Sequence, residues 1–148
     1  MKQERAPEAS EISARIASAL SPEQVRAGVV SVYLFGSHGE GRAHRESDVD
    51  VGVLLRRDVC PHVRDRFEMQ LRLSGILQIA LRTRAVDVVI LNDAPPLLGR
   101  RIVTAGLRIL CTDPEVDHAF VRDVQLRAAD LEPFLRRMRR FKLDAIGR

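Results

Sequence analysis

The chain reads as one α/β-type domain with a helical tail, and three observations predict this. Its 148 residues are enough for one well-buried core and too few for two. Short β-branched runs are interspersed with longer segments whose apolar residues recur at helical spacing. A composition that is 45% hydrophobic and 30% charged fits a globular chain and excludes a disordered or collagen-like one.

In chain order, Ile12, Ile16 and Leu20 at i, i+4 and i+8 predict an amphipathic helix over 11–20. Ser21, Pro22 and Gln24 carry the start signals of a short second helix, with Ser21 as cap and Gly28 as its end. The run VVSVYLF at 29–35 predicts a buried strand. A glycine- and charge-rich loop over 36–46, with room for one helical turn, leads to a second strand at 48–55. Helical spacing of Val63, Phe67, Leu71, Ile76, Leu77, Ala80 and Leu81 predicts a long helix over 61–81. AVDVVIL at 85–91 is a third strand, 92–105 a capped turn and helix closed by Gly106, and 107–111 a short fourth strand. Asp113 and Pro114 open a helix that Pro133 is expected to kink or divide, leaving a last segment over 134–146. The domain is 1–148, with a core of about 10–111 and a helical tail of about 113–146.

Composition narrows the function classes. The longest apolar run, at 29–35, is far short of the roughly 20 residues of a membrane-spanning helix. The first ten residues, MKQERAPEAS, carry no secretory signal, so the expected location is cytoplasmic. Cys60 and Cys111 fit no disulfide or zinc framework and read as reduced structural thiols. Net charge is +4, and only Lys2 and Lys142 are lysines, so the positive charge is nearly all arginine. Arginine suits bidentate contact with phosphate or carboxylate. No aromatic-interleaved basic stretch accompanies it, so direct nucleic-acid binding is not the leading expectation.

Chemistry concentrates at three acids. Asp48 and Asp50 are two apart on a strand and project from one face, with Cα atoms about 6.6–7 Å apart. Like carboxylates repel unless a cation or solvent intervenes, so the pair points to a divalent metal or to two solvated acids. Asp87 is the one polar residue in the third strand, where a buried carboxylate needs a metal or an arginine. Gly36 and Ser37 follow the first strand directly, with Gly39 and Gly41 close behind, a pattern that lets backbone approach a phosphate or simply turns the chain.

Gly36-Ser37, ten intervening residues and Asp48-Val49-Asp50, followed by Asp87 on the next strand, resemble the signature of the nucleotidyltransferase superfamily related to DNA polymerase β. Residues 33–37 and 47–50 look like its minimal nucleotidyltransferase branch. The segment LNDAPPLL at 91–98 is similar to that of the antitoxins of HEPN/MNT toxin–antitoxin systems. The likeness covers roughly 29–111. It implies a nucleotidyltransferase fold of the α+β kind, a small mixed sheet flanked by helices. It also implies that Asp48, Asp50 and Asp87 hold two Mg²⁺ ions about 3.5–4 Å apart. Asp87 then takes the acceptor's proton, and Gly36 and Ser37 hold the β- and γ-phosphates of ATP. The implied activity is transfer of AMP to a hydroxyl, a tyrosine, of a partner HEPN ribonuclease toxin, which silences it. Family members often carry Arg-Ala-Arg where this chain has His38-Gly39-Glu40-Gly41. Arg42 or Arg45 is the candidate compensation, while His38 and His44 read as surface residues.

Two other functions use the same residues. A small-molecule acceptor, as in aminoglycoside nucleotidyltransferases, keeps the chemistry, although some 37 residues after Cys111 leave little for a further substrate domain. An antitoxin that binds and masks its partner needs no chemistry. In the tail, Phe134, Leu135, Met138 and Phe141 form a stripe expected to pack on the domain, with a partner helix as the alternative. Arg136, Arg137, Arg139 and Arg140 read as a solvated face that could also meet an acidic partner.

Overall fold

A computed structural model describes residues 8–43 and 47–147. Its centre is β1 (Val29–Phe35), flanked by β2 (Val49–Leu55) and by β4 (Leu107–Cys111), both antiparallel to it. The fourth strand, β3 (Val86–Ile90), pairs parallel with β2, giving the mixed order β3-β2-β1-β4. Parallel neighbours need a crossover, and α4 (Val63–Leu81) supplies it between β2 and β3.

Both faces of the sheet are covered. On one, Ile12 and Ile16 of α1 (Ala9–Ala19), Val25 of α2 (Glu23–Arg26) and Leu73 and Leu77 of α4 pack on Val32, Leu34, Val51, Val53 and Val88. On the other, Ile102 of α5 (Pro96–Ala105) packs on Val30, Tyr33, Leu54 and Leu91, with Phe120 of α6 (Pro114–Ile146) beside them. A register shift near Val30 turns both Val30 and Ser31 to the α6 side, where strict alternation would split them. Gly99 lets α5 and α6 close up, since a Cβ there would lie 2.8 Å from Val124.

Asp117 ties α6 to the sheet. Its buried carboxylate accepts hydrogen bonds from Ser31 Oγ (2.6 Å) and Tyr33 OH (2.7 Å) and pairs with Arg108 of β4 (3.0 Å). Burial first, and then the Asp117 carboxylate, push the Tyr33 hydroxyl pKa well above its ordinary value, so Tyr33 stays a donor.

Several expectations are corrected. Ser21 caps nothing; its hydroxyl donates to Ser18 O at 2.7 Å, while Pro22 precedes α2. Val63, Phe67 and Leu71 form an exposed row on α4, because the sheet takes only the Leu73 and Leu77 side of that helix. Asn92 caps no helix. Its side-chain amide pairs with both backbone groups of Leu55, at 2.9 and 3.0 Å, and so prolongs the β2 ladder beyond β3. Pro133 does not divide α6, which runs unbroken for 33 residues. The carbonyl freed by Pro133 belongs to exposed Ala129, where water can satisfy it. Phe134, Met138 and Phe141 stand exposed instead of packing on the domain, because α6 turns its Glu132, Leu135 and Arg139 side to α5; of the expected stripe, Leu135 alone is half-buried. Asp113 does cap α6, its carboxylate accepting from Val116 N at 3.2 Å.

Candidate active site

Strand register gathers the predicted acids at one end of the sheet. Asp50 stands opposite Phe35 of β1 on one side and opposite Asp87 of β3 on the other. Neighbouring strands are about 4.7–4.9 Å apart, so Asp50 and Asp87 are immediate neighbours. Val49, Val51 and Val88 occupy the core of the opposite face, which turns Asp50 and Asp87 toward the α5 side. Asp48 lies one residue before β2 and is exposed at the sheet's rim. Asp87 is exposed as well, so the expected burial of its carboxylate is corrected: β3 is an edge strand, and Asp87 sits next to its first residue.

Asp50 is the electrostatic centre. Burial raises its pKa above the ordinary carboxylate value, and the negative charges of Asp87 and then Asp48 raise it further, with His38 acting in the opposite sense. Among the described residues none of the three acids is in an ion pair. No three His, Cys, Asp or Glu side chains among those residues close round one point as a ready-made metal cage. An open set of carboxylates suits Mg²⁺, which keeps several waters and binds through one or two carboxylates together with substrate phosphates.

The turn after β1 is built against Asp50. Gly36 opens the one-turn helix α3 (Gly36–Gly39) with φ of +67°, in the left-handed region. A Cβ at that position would collide with Asp50 Oδ2, so glycine is required both by the turn and by the carboxylate. Ser37, next in the turn, is half-buried and accepts at its carbonyl from Arg42 N at 2.7 Å.

His38 is buried, contrary to its surface reading. Its Nε2 lies 3.3 Å from Ser47 O, which ties α3 to the residue before Asp48, while Nδ1 is buried without a protein partner among the described residues. Nothing in the sequence signals this, since the burial arises where α3 packs against β1 and β2. His44 and Arg45 lie outside the described residues. Glu40 engages Arg42 by an ion pair and lies 3.9 Å from Arg101 of α5. The hydrogen bond from Arg42 is the main reason its carboxyl pKa lies below the ordinary range. Arg101 went unread because nothing in the sequence places α5 beside this loop. On the other flank of the acids, a cavity of about 370 Å³ opens beside Asp87 and is lined by Val63, Phe67 and Leu98. The outward apolar row of α4 thus borders the site.

Comparison with known proteins places the chain in a family. The family model described as "Polymerase beta, Nucleotidyltransferase" matches residues 16–115. The protein adenylyltransferase MntA of Shewanella oneidensis is 30% identical over 95 residues, which are 64% of this chain and 63% of that protein. The match therefore spans less than two thirds of that relative's length. A crystal structure of a toxin–antitoxin with AMP-PNP superposes with a TM-score of 0.58 at 25% identity, covering 93% of this chain and 97% of that one. A tri-AMPylated Shewanella oneidensis HEPN toxin in complex with MNT antitoxin gives a TM-score of 0.57 at 23% identity, covering 95% and 99%. With two thirds of its length matched by the family model, and with Gly36, Asp50 and Asp87 held together by strand register, the chain belongs to the polymerase β nucleotidyltransferase family.

Proposed function

We propose that the protein is an antitoxin-type protein adenylyltransferase, which moves AMP from ATP to a hydroxyl, of tyrosine, on a partner HEPN-domain ribonuclease toxin and so neutralises it. The observation that carries the reading is the pairing of Asp50 with Asp87 across β2 and β3, with the glycine turn at Gly36 closed against the Asp50 carboxylate. The names of the relatives supply the adenylyl group and the HEPN partner.

In this reading, the backbone of Gly36 and the hydroxyl of Ser37 hold the β- and γ-phosphates. Asp48 and Asp50, with Asp87, are the residues that would bind Mg²⁺. The metal, when bound, offsets the charge of the triphosphate and of the three carboxylates. The acceptor hydroxyl approaches from the Asp87 side, where the cavity bounded by Val63 and Phe67 gives an apolar seat to a polypeptide. Its oxygen attacks the α-phosphorus, the bond to the β-phosphate oxygen breaks, pyrophosphate leaves, and Asp87 accepts the hydroxyl proton. Exposure of Asp87 leaves it free to pass that proton to water. No described helix is long and apolar enough to cross a membrane, and a cytoplasmic location, where ATP is at hand, goes with this reading.

Incubating the chain and a purified HEPN-domain partner with α-³²P-ATP and Mg²⁺ tests it. Label is expected in the partner, and is lost with Asp50→Asn and with EDTA. Label in a small-molecule fraction with none in protein would favour a drug-modifying enzyme. An inhibited but unlabelled partner would favour masking.

A further inference from the structure

The apolar row on α4 faces away from the protein's own core. Val63, Phe67 and Leu71 recur at i, i+4 and i+8 over about 12 Å of helix, and each is more than half exposed. Single exposed apolar side chains are ordinary, whereas an aligned set beside a site marks a surface that another molecule covers. This row begins at the acids. Val63 and Phe67 line the cavity of about 370 Å³ that also holds Asp87, and Pro95 and Leu98 form its other wall. Its floor is β3, an edge strand with no strand beyond it among the described residues.

Hydrogen bonds fix both walls to that floor. Gln70 of α4 donates to Val88 O at 2.7 Å, which fastens the helix to the strand one residue past Asp87. Arg66 grips the Asp93 carboxylate through Nε and a terminal nitrogen, at 2.8 and 2.9 Å, and donates to the carbonyls of Cys60 and Pro61, each at 3.1 Å. The start of α4, β3 and the segment after β3 are thereby tied together.

Charge and extent together choose the occupant. Asp87 and Asp93 are the two acids lining the cavity, and Arg66 already offsets Asp93, so little is left to attract a polycationic small molecule. A ligand confined to the cavity would leave Leu71, one turn further along α4, uncovered. An extended apolar stretch of polypeptide covers both, laid along an edge strand. Continuity with Asp87 makes that polypeptide the one whose hydroxyl reacts.

We propose that the α4 row and the edge of β3 dock an extended apolar segment of the acceptor protein beside its reactive hydroxyl, with Phe67 as the central contact and Leu71 meeting residues beyond the cavity. The proposal rests on the adenylyltransferase reading for the acceptor's identity. It goes past that reading by naming the side chains that choose among acceptors: a hydroxyl with no apolar neighbours in its chain binds weakly here.

The test compares wild type with Phe67→Ser and Leu71→Ser, and with Ile79→Ser, a control on the same helix that is 81% exposed and outside the row. Circular dichroism and the thermal midpoint check that each is folded. Calorimetry measures affinity for the purified HEPN-domain partner and for ATP, and label from α-³²P-ATP gives the acceptor KM. Phe67→Ser is expected to raise the acceptor Kd and KM by about tenfold and Leu71→Ser by about threefold, with the ATP Kd unchanged and Ile79→Ser like wild type. Unchanged acceptor affinity in both row variants, with transfer intact, would overturn the docking surface and leave the adenylyltransferase reading standing. A loss in Phe67→Ser alone would confine recognition to the cavity and overturn the extended segment. An equal loss of ATP affinity would make the cavity part of the nucleotide site, which also overturns the proposal. Weakened acceptor binding in both variants, with no label in the partner even for wild type, would uphold the docking surface and contradict the adenylyltransferase reading.

Discussion

Gly36 and Asp50 are in such close contact that a Cβ at position 36 would run into the Asp50 carboxylate. The glycine turns the chain out of β1 with positive φ, and in doing so lays its Cα against the carboxylate at the start of β2. Fold and site are therefore specified by one contact.

Gly36→Ala is expected to act on both. A left-handed φ in a non-glycine residue costs about 1–2 kcal/mol, and the new methyl must displace Asp50. A lower thermal midpoint should accompany a fall in kcat larger than any change in the ATP KM. A variant with wild-type kcat would show that Asp50 does not need its present position.

Asp50 makes the stability of the metal-free protein depend on pH. Its folded pKa is raised above 3.8 by burial and by the neighbouring Asp87 and Asp48 charges, so its contribution to stability is full below that value. That contribution is lost as pH rises through the folded pKa. Asp50→Asn removes the titration. The metal-free variant should be more stable than wild type at neutral pH, and the two should converge below pH 3.8. Urea titrations across pH measure this, and adding Mg²⁺ should stabilise wild type alone. A pH-independent difference would mean that neither burial nor the neighbouring carboxylates raise the Asp50 pKa.

Glu40 holds Arg42 and lies near Arg101, two cations bordering the nucleotide turn. Glu40→Gln should release both toward the triphosphate and lower the ATP KM by about threefold, a change of the size exposed ion pairs carry. Kinetics of pyrophosphate release read this directly, and an unchanged or higher KM would place those arginines outside the phosphate path.

Asp117 should matter for stability and not for chemistry. Asp117→Ala strips the partner from Ser31 and Tyr33 in the buried face and should cost about 2–4 kcal/mol in urea unfolding. Its kcat at a temperature where it is folded should match wild type. A cost below 1 kcal/mol would mean that water replaces the carboxylate.

The strands were legible because β-branched runs such as VVSVYLF and VDVGVLL have few other uses, and the acids because a period of two puts Asp48 and Asp50 on one side. Pairing is another matter. That Asp87 faces Asp50 follows from a parallel crossover, which a single sequence suggests only through family resemblance. Asp117 looks like an ordinary acid of a helix's first turn; only the tertiary approach of α6 to Ser31 and Tyr33 makes it a buried anchor. Helical spacing announced the apolar row of α4 and could not say that its Val63, Phe67 and Leu71 end looks away from the sheet. Likewise, Pro133 breaks a helix only where the freed carbonyl has no solvent, and here α6 is exposed.

In the proposed reaction Asp50 and Asp87 together support transfer of AMP to a hydroxyl of a HEPN-domain partner. Intact-mass analysis of that partner, after reaction with ATP and Mg²⁺, tests it most directly. Wild type should add the mass of one or more adenylyl groups, with fragmentation placing each on a hydroxyl side chain, while Asp50→Asn and Asp87→Asn add none and still bind the partner. A partner that is bound and inhibited by wild type yet unchanged in mass would contradict the claim, and Asp50 and Asp87 would then be parts of a binding protein.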